Sequence, residues 1–354
     1  MRSVPALAAL LLLATTACSA IGEGDSSPEA DSHGKITEVV LVTHDSFALP
    51  KKLVRQFEAD TGYRLVVRAS GDAGELTSKL VLTKDSPTGD LAFGVDNSFA
   101  GRALAEDVFA PYDVTLPAGA DAFRLDADTG ATLAPVDTGD VCVNVDTAWF
   151  KAHHQSPPAT LDDLTDPAYR DLFVTPGAPT SSPGFAFLLA TIAAKGEGWQ
   201  AYWTDLMANG AKLTKGWEDA YYVDFTAGGG KGATRPIVLS YDSSPAFTID
   251  KATGRSTTRA LLDTCSRQVE YAGVLSGAKN APGAEALLEF LLSPEVQAAL
   301  PTSMYVFPVR DGVTLPADWA AFARRPATTL DVPAEDIEAH RDDWLTEWSD
   351  LTSR

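Results

Sequence analysis

Short apolar runs alternate along the chain with segments whose apolar residues recur at helical spacing. The runs typical of buried strands are residues 38–43, 63–68, 91–95 and 237–240. Helical spacing, often with proline at the start or glycine at the end, predicts helices over residues 50–61, 76–82, 183–195, 199–209, 284–292, 294–299 and 333–349. Strands that alternate with helices indicate a parallel α/β sheet.

The first 36 residues have a different pattern. Residues 4–14 form an apolar run that is too short to span a bilayer, and we interpret residues 1–17 as a signal peptide. Small residues precede Cys18, as at a lipoprotein cleavage site, so we predict a lipid anchor on Cys18. Thr15 stands where such sites usually carry leucine, and the alternative is ordinary cleavage near Ala20, which gives a soluble product.

Residues 18–36 are polar and acidic, which predicts a flexible tether. The roughly 320 residues that follow suit two lobes better than one core. The net charge of −20 argues against nucleic acid or an anionic lipid surface as a partner, and it is compatible with a cationic ligand.

Several ordered segments resemble the type 2 extracellular solute-binding proteins of ABC importers. Residues 43–47 and 57–62 carry this similarity near the start, and residues 284–297 carry it near the end. The finer similarity is to the thiamine-binding family, and it is carried by residues 94–97, 180–184, 214–221, 239–247, 325–330 and 344–348. Their joint order and spacing cover nearly all of residues 37–354, which makes the resemblance specific.

The resemblance implies a two-lobed type 2 periplasmic-binding-protein fold with the ligand in a cleft between two α/β lobes. Residues 37–139 and 269–354 would form lobe 1, and residues 140–268 would form lobe 2. The expected crossings between the lobes are residues 140–146 and 265–274. The last 40 residues, with apolar side chains along one face of the final helix, pack either on lobe 1 or across the hinge.

Two cysteines remain once Cys18 is set aside. Cys142 and Cys265 both fall in strand-like runs at the expected crossings. In an oxidising compartment two such cysteines can pair, and we favour a disulfide over the alternative of two buried thiols.

The function implied by the resemblance is extracytoplasmic binding of a small molecule. The protein would be a monomer that binds thiamine, thiamine monophosphate or thiamine diphosphate and delivers it to the permease and ATPase of an ABC importer. It would be neither an enzyme nor a nucleic-acid-binding protein, and it would need no cofactor or metal. A lipid on Cys18 would hold it at the cell membrane.

The family's binding residues carry over onto particular positions. These are His44, Asp45, Ala73, Gly74, Ser181, Ser182, Trp217, Tyr241, Asp242, Ser243, Ser244, Phe247 and Tyr305. Flat cations bind to aromatic faces, so four of the aromatic side chains could form a cage. The contacts from Ala73 and Gly74 would be made by the backbone. Ser181 and Ser182 open a helix whose N-terminal N–H groups and hydroxyls suit a phosphate, although serines there can also serve only as a cap.

The sequence departs from the family pattern at several of these positions. His44 and Phe247 replace tyrosines, and Tyr305 replaces a tryptophan. The loss of a hydroxyl at Phe247 would weaken a phosphate contact, and a histidine at position 44 predicts affinity that depends on pH. Asp242 replaces a neutral residue. Our hypothesis is that it supplies a countercharge to the ligand, and a solvent-facing turn residue is the alternative.

Two other functions are alternatives to thiamine binding. An enzyme is disfavoured because the five histidines form no recognisable nucleophile or metal pattern and residues 180–184 lack the glycines of a nucleophile elbow. A solute-binding protein for ferric ion or a polyamine is the closer rival. Tyr221 and Tyr222 are a tyrosine pair of the kind used at ferric sites, so residue type alone does not exclude iron.

Overall fold

The computed structural model describes residues 37–353. The predicted signal peptide (1–17), the predicted tether (18–36) and Cys18 lie outside the described residues. Within them, the strands are β1 (Glu38–Thr43), β2 (Arg64–Ala69), β3 (Leu91–Asp96), β4 (Phe109–Ala110), β5 (Ala134–Asp146), β6 (Phe173–Pro176), β7 (Lys212–Thr214), β8 (Ile237–Tyr241), β9 (Ile249–Asp250), β10 (Arg255–Ser256), β11 (Thr258–Ala260), β12 (Ser266–Leu275) and β13 (Phe307–Pro308).

The helices are α1 (Lys51–Thr61), α2 (Ala73–Leu82), α3 (Ala100–Ala105), α4 (Thr147–Ala152), α5 (Ser182–Lys195), α6 (Trp199–Ala208), α7 (Ala281–Leu291), α8 (Pro294–Ser303), α9 (Ala317–Phe322) and α10 (Ala334–Thr352). A π-helical segment covers Asp219–Asp224. Across residues 37–353, no helix has the length and apolar character needed to cross a membrane.

A single sheet runs through both ends of the molecule in the strand order β2-β1-β3-β12-β5-β8-β6-β7. β1 is parallel to β2 and β3, and β6 is parallel to β7 and β8, which confirms the predicted parallel α/β arrangement at both ends. In the centre, β12 and β5 run antiparallel to each other and to their outer neighbours. The alternation of strands and helices did not predict this antiparallel pairing at the centre of the sheet.

The two central strands are buried along almost their whole length. The predicted division of the lobes, at residues 139/140 and 268/269, falls inside β5 and β12. The exact lobe boundaries remain a prediction. The structure joins Cys142 of β5 to Cys265, the residue before β12, by a disulfide, with their Cα atoms 4.2 Å apart.

Helix starts differ from prediction where a polar side chain caps the helix. α2 begins three residues early because the Asp72 carboxylate accepts a hydrogen bond from the Ala73 N–H at 2.7 Å. α7 also begins early, because the Asn280 side chain accepts from the Gly283 N–H at 3.0 Å. The helices α3, α4 and α9 were not predicted, since each is only six residues long and shows too little periodicity.

The last helix contacts both predicted lobes. Trp348 is buried and packs edge-on against Trp203 of α6, with ring centroids 5.3 Å apart. The Arg341 guanidinium lies over Phe99 at 5.0 Å and over Phe185 at 5.5 Å. Phe99 lies in predicted lobe 1 and Phe185 in predicted lobe 2. The final helix thus contacts residues assigned to each predicted lobe, and the lobe assignment of the last 40 residues stays a prediction.

Candidate ligand-binding site

A cavity of about 330 Å³ opens beside the ends of β1 and β8 and the start of α5. Eight of the predicted site residues line it. These are His44, Asp45, Ser182, Trp217, Tyr241, Ser244, Phe247 and Tyr305. Segments far apart in sequence therefore meet around one space that is large enough for a small two-ring molecule.

Aromatic rings form one wall of the cavity. Trp217 stacks on Tyr221 with ring centroids 5.0 Å apart and an angle of 23° between the planes. Phe247 meets Tyr305 edge to face at 5.0 Å, and it also contacts Tyr222. Tyr222 and Phe247 are each 39% exposed, unusual for large aromatic side chains in this protein. This wall offers faces to a flat cationic ring.

Hydrogen bonds at both ends fix the position of Trp217. Its backbone N–H donates to Asp72 Oδ2 at 2.9 Å, and its indole Nε1–H donates to Ser240 Oγ at 2.9 Å. The hydroxyls of Ser240 and Ser244 are 2.7 Å apart, and Ser244 also accepts from the Tyr241 N–H at 3.0 Å. The indole is therefore held in place before any ligand arrives.

Four carboxyl groups line the cavity, those of Asp45, Asp72, Glu218 and Glu270, and among the described residues no lysine or arginine does. Burial raises the pKa of Asp72. Burial also raises the pKa of Glu218, and the neighbouring charges of Asp45 and Asp72 add to the effect. A cation among these groups would favour their ionised forms, so the electrostatics suit a positively charged ligand.

His44 faces the cavity from the end of β1 and is only 7% exposed. Its Nε2 lies 3.3 Å from Oε1 of Glu270, and its ring packs against Phe93 at 5.5 Å. A Cβ at Gly94 would collide with the imidazole, so glycine is needed there. Burial disfavours the imidazolium, but the charge of Glu270 and its hydrogen bond outweigh burial and raise the pKa of His44.

The start of α5 reaches the cavity through Ser182, while Ser181 is fully buried behind it. In residues 37–353 neither hydroxyl has a well-aligned hydrogen-bond partner, although the carboxyl groups of Asp72 and Asp96 lie beside them. Pro183 occupies the first turn. The Ser182 hydroxyl thus lies beside the Asp96 carboxyl at a helix end that borders the cavity and suits a polar group of a ligand.

The structure does not bring Ala73 or Gly74 to the cavity. The Ala73 N–H is capped by Asp72, and the Gly74 N–H donates to the Thr180 carbonyl at 3.1 Å. The N–H groups of both residues thus already have acceptors within the protein, and the backbone contacts expected of them stay a prediction.

Asp242 and Ser243 also lie outside the cavity lining. Asp242 is fully buried, its N–H donates to the Asp140 carbonyl at 2.8 Å, and its carboxylate accepts from the Asp140 N–H at 3.2 Å. Burial and the charge of Asp140, against the opposing charge of Arg325, raise the pKa of Asp242 to about 7. It is neither a cavity countercharge nor a solvent-facing turn residue, which corrects both expectations. The Ser243 hydroxyl donates to the Tyr305 carbonyl.

Sequence reasoning missed several residues of the cavity lining. They include Phe47, Asp72, Glu218, Gln268, Glu270 and Met304. A signal was present for two of them, because Gln268 and Glu270 are polar side chains two positions apart, on one face of the buried strand β12. Polar groups on a buried strand need partners or a function.

The tyrosine pair considered for ferric ion also lines the cavity. Burial raises the pKa of both Tyr221 and Tyr222, which disfavours the tyrosinate form that ferric ion binds. Within the described part of the chain, no group of three or more His, Cys, Asp or Glu side chains could hold a metal ion.

Residues 86–327 match the sequence model of a family described as bacterial extracellular solute-binding proteins. The thiamine-binding periplasmic protein of Salmonella typhimurium is 31% identical over 328 residues, which cover 89% of this chain and 94% of that protein. The protein of the same name from Escherichia coli is 30% identical over 324 residues, with the same coverage of 89% and 94%.

Solved structures show the same architecture. A periplasmic thiamin binding protein superposes with a TM-score of 0.80 at 29% identity, covering 93% of this chain and 100% of that one. Iron-bound HitA from Pseudomonas aeruginosa superposes with a TM-score of 0.68 at 19% identity over 89% of this chain and 99% of its own, a likeness of fold alone. This chain therefore belongs to the bacterial extracellular solute-binding proteins and has their two-lobed type 2 fold.

Proposed function

We propose that this protein binds thiamine or a thiamine phosphate outside the cytoplasm and delivers it to the permease of an ABC importer, which is driven by its ATPase. The observation that carries the proposal is a cavity with an aromatic wall, four carboxyl groups and no lysine or arginine among the described lining residues. Relatives about 30% identical over most of the chain are named thiamine-binding periplasmic proteins, which supports the same ligand.

The cavity chemistry matches the parts of thiamine. The thiazolium ring carries a fixed positive charge, and a cation over an aromatic face gains about 0.5–2 kcal/mol. Trp217 and its neighbours offer such faces, and the carboxyl groups supply the countercharge that Asp242 does not. The hydroxyl or phosphate end of the ligand would bond to Ser182 at the start of α5.

The proposal extends to the oligomeric state and the cellular location of the protein. We propose a monomeric binding protein without enzymatic activity, tethered to the membrane by a lipid on Cys18. Incorporation of labelled palmitate into the expressed protein, and its loss in Cys18→Ser, would test the anchor without reference to the ligand.

Titration of intrinsic tryptophan fluorescence tests the ligand. Because Trp217 lies in the cavity, thiamine, its monophosphate or its diphosphate should give a saturable change, whereas ferric ion and spermidine should give none. The variant Trp217→Phe should lose most of the signal, which would assign the change to this residue. If no form of thiamine changes the fluorescence or gives heat by calorimetry, the proposed function is wrong.

A pair of acid-to-amide variants separates the cavity from the buried network behind it. Asp242→Asn should leave thiamine affinity unchanged within about twofold, because Asp242 does not line the cavity. Glu218→Gln removes a lining charge and should weaken binding roughly threefold to tenfold. Calorimetry on both variants checks this, and a larger loss in Asp242→Asn than in Glu218→Gln would contradict the assignment.

A further inference from the structure

Three buried carboxyl groups form a row across the middle of the sheet. Glu270 of β12 is paired in register with Asp96 of β3 on one side and with Asp137 of β5 on the other. All three are at most 7% exposed. Of the three, Glu270 lines the cavity, and there it meets His44 at 3.3 Å.

These three groups differ in how readily they ionise. Burial and the charge of Glu270 raise the pKa of Asp137 well above its usual range. Burial raises the pKa of Asp96 to about 7. Although burial opposes its ionisation, the charge of His44 and the hydrogen bonds from His44 and Asp137 hold the pKa of Glu270 below its ordinary value. Of the three, only Glu270 has a pKa held below its ordinary value, and His44 is the basic group beside it.

The charged groups that interact with His44 are all carboxyl groups. Glu270 faces it from β12, Asp72 from the start of α2, and Asp45 from its own loop. Glu218, ahead of the π-helical segment, interacts with it across the cavity. β3 contributes the Phe93 ring and Gly94 beside the imidazole. The residues described around the cavity include no lysine or arginine.

We propose that binding of a cationic ligand in this cavity expels a proton from His44. The inference rests on the proposed function, in which the ligand carries a fixed positive charge. Ligand and imidazolium would share the same carboxylates in a space of about 330 Å³, and two positive charges held so close repel each other. Loss of the proton leaves a neutral imidazole. The Glu270 carboxylate then balances the charge of the ligand in place of the charge of His44.

The sign of the pH dependence follows from linkage. In the free protein the pKa of His44 is raised above its ordinary value, and the bound cation lowers it. Above the free-state pKa the imidazole is already neutral, and affinity is independent of pH. As the pH falls through that value, the proton must be expelled on binding, and affinity drops by at most about tenfold per pH unit for one proton. The ligand thus binds less tightly in acid.

Calorimetry with thiamine between about pH 6 and about pH 8.5, where the thiazolium charge is constant, measures this linkage. Titration in two buffers of different ionisation enthalpy gives the number of protons released. We expect proton release to increase, and affinity to fall with it, as the pH is lowered through the free-state pKa of His44. His340 is exposed and outside the cavity, so His340→Gln should keep the full dependence.

His44→Tyr and His44→Gln should bind thiamine with flat affinity and no proton release over the same range. Two substitutions guard against misfolding of either one, which thermal unfolding would detect. Proton release that persists in both variants would assign the effect to another group and overturn the inference. If wild-type protein binds thiamine with flat affinity and no release, the inference fails and the proposed function stands. If thiamine does not bind at any pH, the proposed function fails as well.

Discussion

Replacing Trp217 by alanine should weaken thiamine binding by roughly thirtyfold, which corresponds to about 2 kcal/mol. The indole is held over the cavity by hydrogen bonds from its backbone to Asp72 and from its ring to Ser240, so its face is organised before the ligand arrives. Its removal takes away a stacking partner and a cation–π contact at the same time. Calorimetric titration of the purified variant measures the loss.

A second tryptophan provides the matched control for this substitution. Trp149 stacks on His153 with ring centroids 3.7 Å apart and does not line the cavity. Trp149→Ala should therefore leave the affinity within about twofold of wild type. Equal losses in the two variants would indicate a general effect of tryptophan removal and would count against an aromatic wall as the ligand site. Trp217→Phe should recover most of the binding, since it restores an aromatic face.

Removing the disulfide should lower the free energy of unfolding by about 3–5 kcal/mol. Cys142 and Cys265 are 123 residues apart in sequence, so the bond closes a long loop and removes much conformational freedom from the unfolded chain. The double variant Cys142→Ala/Cys265→Ala avoids leaving a single reactive thiol. Equilibrium unfolding in urea, followed by tryptophan fluorescence, measures the difference.

Reductant supplies the internal control for the disulfide. Dithiothreitol should lower the stability of the wild-type protein towards that of the double variant and should leave the double variant unchanged. A wild-type protein that unfolds at the same urea concentration with and without reductant would contradict a stabilising bond. Thiamine affinity of the folded double variant should stay close to wild type, because neither cysteine lines the cavity.

The outer parts of the fold were predictable from local pattern, and the centre was not. Val39–Val42 and Ile237–Leu239 are short apolar runs of the kind that identifies buried strands directly. The pairing of β5 with β12 joins residues more than a hundred positions apart. No local periodicity carries that information, and only the family resemblance placed the crossings there.

Local sequence pattern was equally limited in predicting the residues of the binding site. Trp217 and Tyr241 were predicted because family segments surround them, whereas Glu270 was missed because its role depends on three strands that come together from distant parts of the chain. Asp242 was misassigned because it lies next to lining residues in sequence while its side chain turns inward to Asp140. At the end of a strand, neighbouring side chains point to opposite sides, and sequence adjacency does not indicate which side faces the ligand.

Three hydrogen bonds connect the start of α2 to the loops around Thr180 and Trp217, beside the cavity. The Asp72 carboxylate accepts from the Trp217 N–H, and the N–H groups of Gly74 and Glu75 donate to the Thr180 carbonyl at 3.1 and 3.3 Å. These bonds join a segment of predicted lobe 1 to segments of predicted lobe 2. Separation of the two predicted lobes on this side would break these bonds, so we expect their strength to influence how fast a ligand leaves. Substitutions here would act mainly on the dissociation rate.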